Sequence, residues 1–107
     1  VVNKYGNKKV VLYGIEFDSI KEGDRYLQLR LLLKAAVIKD LELQPKYRFV
    51  VHGKEICSYK ADFKYFDCEK KEWVVEDVKS PITAKLPLYR IKKKMMKIFY
   101  DVDVKEV

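Results

Sequence analysis

Ser58–Asp67 (SYKADFKYFD) and Glu72–Lys79 (EWVVEDVK) are the two stretches from which the fold can be read. Both alternate apolar and polar residues with the period of a β-strand, and the polar run Cys68 to Lys71 separates them. With those four residues as the loop of a hairpin, Asp67 faces Glu72. Stepping back along both strands then brings Asp62 opposite Asp77. Facing side chains of an antiparallel pair share one face, with Cβ atoms ~4.5–5.5 Å apart. Lys79, two residues past Asp77, falls on that same face, while Val74, Glu76 and Val78 fall on the other. Glu76 is therefore expected to be structural.

Two carboxylates directly opposite each other destabilise a hairpin, so this register predicts compensation by Lys79 or by a bound cation. Mg²⁺ suits such a pair. It binds one or two protein carboxylates and leaves its other positions to water and phosphate oxygens. That chemistry serves phosphodiester hydrolysis, with the lysine offsetting developing charge.

Outward from the hairpin, Val10 to Phe17 (VVLYGIEF) reads as a small hairpin or bent edge strand broken at Gly14. Ser19-Ile20-Lys21-Glu22 has capping-box spacing and predicts a helix from Ile20 to Ala36. Its apolar side is expected along Ile20, Gly23, Leu27 and Leu31, widened by Tyr26, Leu29, Leu32 and Leu33. Such a wide face predicts a deeply packed C-terminal half. Leu41 to Val51 reads as one strand with Pro45 at an edge or bulge, followed by a turn at His52-Gly53-Lys54. After Ser80-Pro81, a basic helix runs from Leu88 to Phe99, with Ile91, Met95 and Ile98/Phe99 spaced for a buried stripe. The closing DVDVKEV is expected as a last, parallel strand. The order β–α–β–β–β–α–β predicts an α/β fold with a mixed sheet flanked by two helices.

The 107 residues suffice for one compact domain, with residues 1–9 expected as a flexible basic arm. The balance of 23 Lys and Arg against 16 Asp and Glu, net +7, favours an acidic polymer as partner. No apolar run approaches the ~18 residues of a membrane span, and no signal peptide is read at the N-terminus. Cys57, Cys68 and a lone His52 in a turn make no zinc set and no nucleophile–base arrangement. They fit two thiols in a reducing cytoplasm. No phosphate-cradling glycine motif is present, so a nucleotide cofactor is not expected.

Asp62, followed by an apolar strand closing in Asp77-Val78-Lys79, resembles the PD-(D/E)XK nuclease superfamily. The blocks KYGNKK, FDSIKEGDRYLQL, LELQPKY, YKADF and EWVVEDVKS are similar to a family of small phage-encoded proteins, long of unknown function, with Holliday junction resolvase-like character. The resemblance implies a restriction-endonuclease-like core and a Mg²⁺-dependent endonuclease of branched DNA, with Mn²⁺ able to substitute. It implies Asp62, Asp77 and the Val78 carbonyl as metal ligands, Glu22 completing the site, and Lys79 acting on the attacking water. Gln44 would lie beside the site. Glu22 has a competing role as the capping residue for Ser19. The chain departs from the superfamily pattern at Ala61, where proline is usual, and at Asp77, where Glu is commoner.

Arg90, Lys93, Lys94 and Lys97 on the second helix, with Lys4, Lys8 and Lys9 of the arm, are the candidate DNA phosphate contacts. The aromatic residues are expected in the core, with no stacking platform for single strands. Symmetric cutting of a junction needs two active sites, so a homodimer is expected, working in the cytoplasm (the host cell's if phage-encoded). The rival readings are a nuclease with a flap, nicked or linear duplex substrate, and a DNA-binding module without catalysis. A structural role in a phage particle is a third, disfavoured by the charge.

Overall fold

The computed structural model describes residues 8–107. The first strands, β1 (Val10–Leu12) and β2 (Ile15–Phe17), form a hairpin. Its turn residues Tyr13 and Gly14 both have positive φ, the backbone of a tight two-residue turn. Helix α1 (Ile20–Lys34) follows, and Ser19 caps it by accepting the Glu22 N–H at 3.0 Å.

Next come β3 (Ile38–Leu43), β4 (Lys46–Val51), β5 (Lys54–Lys60), β6 (Phe63–Asp67) and β7 (Glu72–Asp77). A 3₁₀ turn (Thr83–Lys85), helix α2 (Pro87–Tyr100) and strand β8 (Lys105–Glu106) complete the chain. The central sheet is mixed and four-stranded, in the order β3-β6-β7-β8, with only β7 and β8 parallel. The α/β class, the mixed sheet, the two helices and the parallel last strand are as the sequence predicts.

The predicted hairpin register holds: Asp67 pairs with Glu72 and Phe63 with Glu76. Two predicted strands do not hold as single elements. Leu41–Val51 is divided at Gln44–Pro45 into β3 and β4, and Ser58–Asp67 is divided at Ala61–Asp62 into β5 and β6. The two breaks face each other. Gln44 N–H donates to the Asp62 carbonyl at 2.9 Å, and Ala61 N–H donates to the Pro45 carbonyl at 3.1 Å. Leu43 pairs with Phe63 before the break and Lys46 with Lys60 after it, so the ladder keeps step through the bend. Gln44 has φ +52°, and Pro45 cannot donate, so the ribbon turns there and β4–β5 leaves the central sheet as a separate two-stranded unit.

Each face of the sheet carries one core. On one side Phe63 and Tyr65 pack with Tyr26 and Leu29 of α1 and Phe17 of β2. On the other, Val75 packs with Phe49 and Tyr59 of the ribbon, Tyr89 and Met96 of α2, and Val104. The helix faces meet expectation in part: Gly23, Tyr26, Leu29 and Leu32 of α1 and Met95 and Phe99 of α2 pack inward. In α1 the buried residues are Glu22, Gly23, Tyr26 and Leu29, while Leu31 is 69% exposed. Gly23 allows close approach of the hairpin, since a Cβ there would lie 2.8 Å from Val10 Cγ2. In α2 the buried residues are Tyr89 and Met96, while Ile91 and Ile98 are 56% and 79% exposed. Both inner faces also carry polar groups, described below. No helix among the described residues is long and apolar enough to cross a membrane.

Candidate functional site

At the C-terminal end of β7, consecutive residues Glu76 and Asp77 are both buried and point to opposite faces of the sheet. Glu76 lies on the α1 side. Arg25 of α1 grips it with two hydrogen bonds, Nε at 2.8 Å and Nη2 at 2.6 Å, and the Tyr65 hydroxyl donates to it as well. This buried pair ties α1 to β7 one helical turn from Glu22. The structural role expected for Glu76 is what it has.

Asp77 lies on the α2 side, where the Tyr59 hydroxyl donates to its Oδ2 and Lys79 Nζ stands 3.4 Å from its Oδ1. Asp62, at the break between β5 and β6, accepts the Val78 N–H on Oδ2 at 2.7 Å. Its own N–H donates to the Glu76 carbonyl at 3.1 Å. The bend in the ribbon thus delivers Asp62 to the end of β7. Ala61 also finds its reason here: a proline at 61 would have no N–H for the Pro45 carbonyl.

Lys79 is held from several directions. Its N–H donates to the Val107 carbonyl at 3.1 Å, and its own carbonyl accepts Lys21 Nζ at 2.6 Å. Its ammonium sits 4.3 Å from the centre of the Tyr89 ring, a cation–π contact. Tyr89 in turn donates to Glu106 at 2.9 Å. Ser80 and Thr83 close the adjoining loop by reciprocal bonds, Ser80 N–H to Thr83 Oγ1 at 2.8 Å and Thr83 N–H to Ser80 Oγ at 3.1 Å.

These groups surround one cavity of about 290 Å³, lined by Glu22, Asp62, Asp77, Val78 and Lys79 together with Asp18 and Lys21. Four elements distant in sequence therefore bring together every acid expected at the site. Asp62 is pushed up to about 8, first by burial, then by its contact with Asp77 and the charges of Asp77 and Glu22; the Val78 N–H opposes this. Glu22 is also raised, by burial first and then by Asp18. Burial and the neighbouring Asp77 push the Tyr59 hydroxyl up, which keeps it a donor.

Neighbouring buried carboxylates repel one another, a cation relieves that repulsion, and Mg²⁺ needs only one or two of them. Asp62 and Asp77 fit that requirement. Among the described residues, however, no group of three or more His, Cys, Asp or Glu side chains is arranged to hold a metal ion on its own. Glu22 thus lines the cavity without closing a three-carboxylate cage.

Other expectations divide. Gln44 touches Asp62 only through the backbone; its side chain is exposed and does not line the cavity. Of the two acids nearest Glu22 in sequence, alternatives to it for the site, Asp18 lines the cavity and Glu16 pairs with Lys9 at 3.3 Å on the hairpin surface. Lys4 lies outside the described residues, and Lys8 is exposed. Arg90, Lys93, Lys94 and Lys97 share one face of α2 and line a second cavity of about 320 Å³. Lys93 is held by Glu106 at 2.7 Å, and Lys97 by Asp101 and Asp103 at 2.9 and 3.2 Å. Arg90 and Lys94 make no ion pair among the described residues.

Sequence reasoning missed Tyr59, Tyr89 and Arg25. Tyr59 and Tyr89 read as core residues, and only the fold puts their hydroxyls on carboxylates. Arg25, three residues after Glu22, was the one position with a readable signal, a cation on the inner face of a capped helix.

No curated protein and no solved structure matches the chain. A family model described as "Protein of unknown function (DUF1064)" matches residues 2–106, and the chain therefore belongs to the DUF1064 family.

Proposed function

We propose that the protein is a divalent-metal-dependent DNA endonuclease with a PD-(D/E)XK-type site on a restriction-endonuclease-like core. The observation that carries the reading is the convergence of Glu22, Asp62, Asp77 and Lys79 on one cavity, with Asp62 pushed up to about 8 by burial first and then by Asp77. Asp62, Asp77 and the Val78 carbonyl would hold Mg²⁺, or Mn²⁺ in its place. The ion, when bound, supplies Lewis-acid polarisation of a phosphate and acidifies a water.

The chain's own residues do the rest. Tyr59 donates to Asp77 and keeps its second oxygen turned toward the cavity. Tyr89 and Asp77 hold the Lys79 ammonium at the rim, where it would orient the attacking water and offset charge developing on the phosphate. Glu22 would accept a hydrogen bond from that water. The α2 cations would carry flanking phosphates. Branched DNA is the substrate this reading favours, and paired cuts across a junction call for a homodimer acting in the cytoplasm.

A second reading, a nucleic-acid-binding module without catalysis, draws on the absence of a ready three-ligand group among the described residues. Incubation with a labelled four-way junction and a matching linear duplex, with Mg²⁺ or EDTA, separates them. Mg²⁺-dependent cutting lost in Lys79→Ala supports the nuclease; binding with no cutting of either substrate supports the module.

A further inference from the structure

A cavity of about 610 Å³ lies at the opposite end of β7 from Asp77. Its walls include Trp73, Tyr47 and Tyr100, with Lys64 and Lys105 among the polar groups. Trp73 is 55% exposed although it is a large aromatic side chain. Phe66 supports it edge-on, with ring centres 5.3 Å apart and planes at 74°. Tyr47 and Tyr100 form a second edge-on pair at 5.2 Å. Lys64 Nζ lies 4.9 Å from the Trp73 ring, and Lys39 Nζ lies 5.2 Å from the Phe66 ring. Of the three acids in the wall, Asp101 and Asp103 are paired to Lys97, which leaves Glu72 opposite Lys64 and Lys105.

This cavity and the candidate site lie at the two ends of one strand. Trp73 and Asp77 lie four residues apart on the same face of β7, a span of ~13 Å at strand rise. Between them on the surface runs the basic face of α2. Its cavity holds Ala84 and Glu106 at the end beside the candidate site, and it shares Asp103 with the aromatic cavity at the other. Tyr89, near the start of α2, supports Lys79; Tyr100, its last residue, lines the aromatic cavity. The 14-residue helix thus offers a track of ~20 Å with cations along it and an aromatic cavity at its end.

We propose that the Trp73 cavity is a stacking site for one unpaired nucleobase of a DNA strand whose backbone follows the basic face of α2. The proposal rests on the nuclease reading and gives it a physical basis for preferring branched over fully paired DNA. An intact duplex keeps its bases stacked on one another, whereas a branch point offers a base that can be received. Stacking on an indole discriminates little among bases, because each has a π-face.

Trp73 is the sole tryptophan of the chain, so its emission reports directly on the site. The experiment titrates the protein, in EDTA to prevent cutting, with a labelled ten-nucleotide single strand and with its duplex. Label anisotropy measures binding independently. The single strand is expected to quench Trp73 emission as it binds, and the duplex to quench it much less. Trp73→Ala should weaken single-strand binding by about 5- to 100-fold while duplex binding changes less than about two-fold. Trp73→Phe, which keeps a stacking ring, should recover most of the loss. Saturation by anisotropy with unchanged Trp73 emission, or wild-type affinity in Trp73→Ala, overturns the site. The two proposals fail separately. Quenching without Mg²⁺-dependent cutting removes the nuclease and leaves the stacking site; cutting without quenching does the reverse.

Discussion

The Tyr59 hydroxyl donates to Oδ2 of Asp77, so a ribbon that has left the central sheet holds the carboxylate at that sheet's end. Both residues are buried, and the bond adds to the links that Asp62 makes to Val78 and Glu76 at the tip of β7. Removing the donor leaves a buried acceptor short of a partner.

Tyr59→Phe is therefore expected to destabilise the fold by ~1–3 kcal/mol, the cost of an unsatisfied buried group. A thermal melt would register this as a midpoint several degrees lower. The Mg²⁺ concentration needed for half-maximal cutting should rise as well, since Asp77 loses its orientation. An unchanged melting midpoint would show that the bond carries no weight.

The Arg25–Glu76 pair predicts an asymmetry between single and double variants. Glu76→Leu alone leaves the part-buried Arg25 guanidinium without its carboxylate and should cost ~1–3 kcal/mol. Arg25→Met with Glu76→Leu removes both charges and should recover most of that loss in denaturant melts. Equal loss in the single and double variants would mean that the pair does not act as a unit.

Asp62 makes stability depend on pH and, under the proposed function, on metal as well. Its folded-state pKa, pushed up to about 8, lies above the ~3.9 of an unfolded Asp, so the metal-free folded protein holds the extra proton. The associated stability is full below about pH 4 and is lost as pH rises through about 8. In EDTA the melting midpoint should fall between pH 5.5 and 8.5, and Mg²⁺ should raise it more at pH 8.5 because it competes with that proton. The converse, a larger Mg²⁺ effect at pH 5.5, would place the ion elsewhere.

Among the α2 cations, Arg90 and Lys94 are free of ion pairs within the described residues, while Lys93 and Lys97 are already held by acids. Replacing Arg90 and Lys94 together by Gln should make the slope of log affinity against log salt shallower by about 2 for duplex DNA. Anisotropy titrations at four or five salt concentrations measure this. An unaltered slope would take the helix out of the DNA contact.

The hairpin register was legible because its signals are local. Four loop residues between alternating runs set Asp67 against Glu72, and counting then brought Asp62 to Asp77. The cap at Ser19 was legible for the same reason. The break at Gln44–Pro45 and Ala61–Asp62 was not, because the pairing keeps step across it and the alternation continues on both sides. Pro45 signalled an edge or bulge, but the turn out of the sheet also needs the positive φ of Gln44, which glutamine does not announce. The helix faces were legible only in part. Arg25 and Glu22 are turned inward on α1, and Tyr89 on α2, while apolar residues such as Leu31, Ile91 and Ile98 face out. Periodicity names a stripe, but the partner element decides which stripe is covered.

The most direct test of the central claim is cleavage of a labelled four-way junction by the wild type and by Asp77→Asn, each with Mg²⁺ and with EDTA. The account predicts cutting by the wild type in Mg²⁺ only, and a loss of at least about 100-fold in Asp77→Asn with the fold intact by thermal melt. Undiminished cutting by Asp77→Asn, or equal cutting in EDTA, would contradict it.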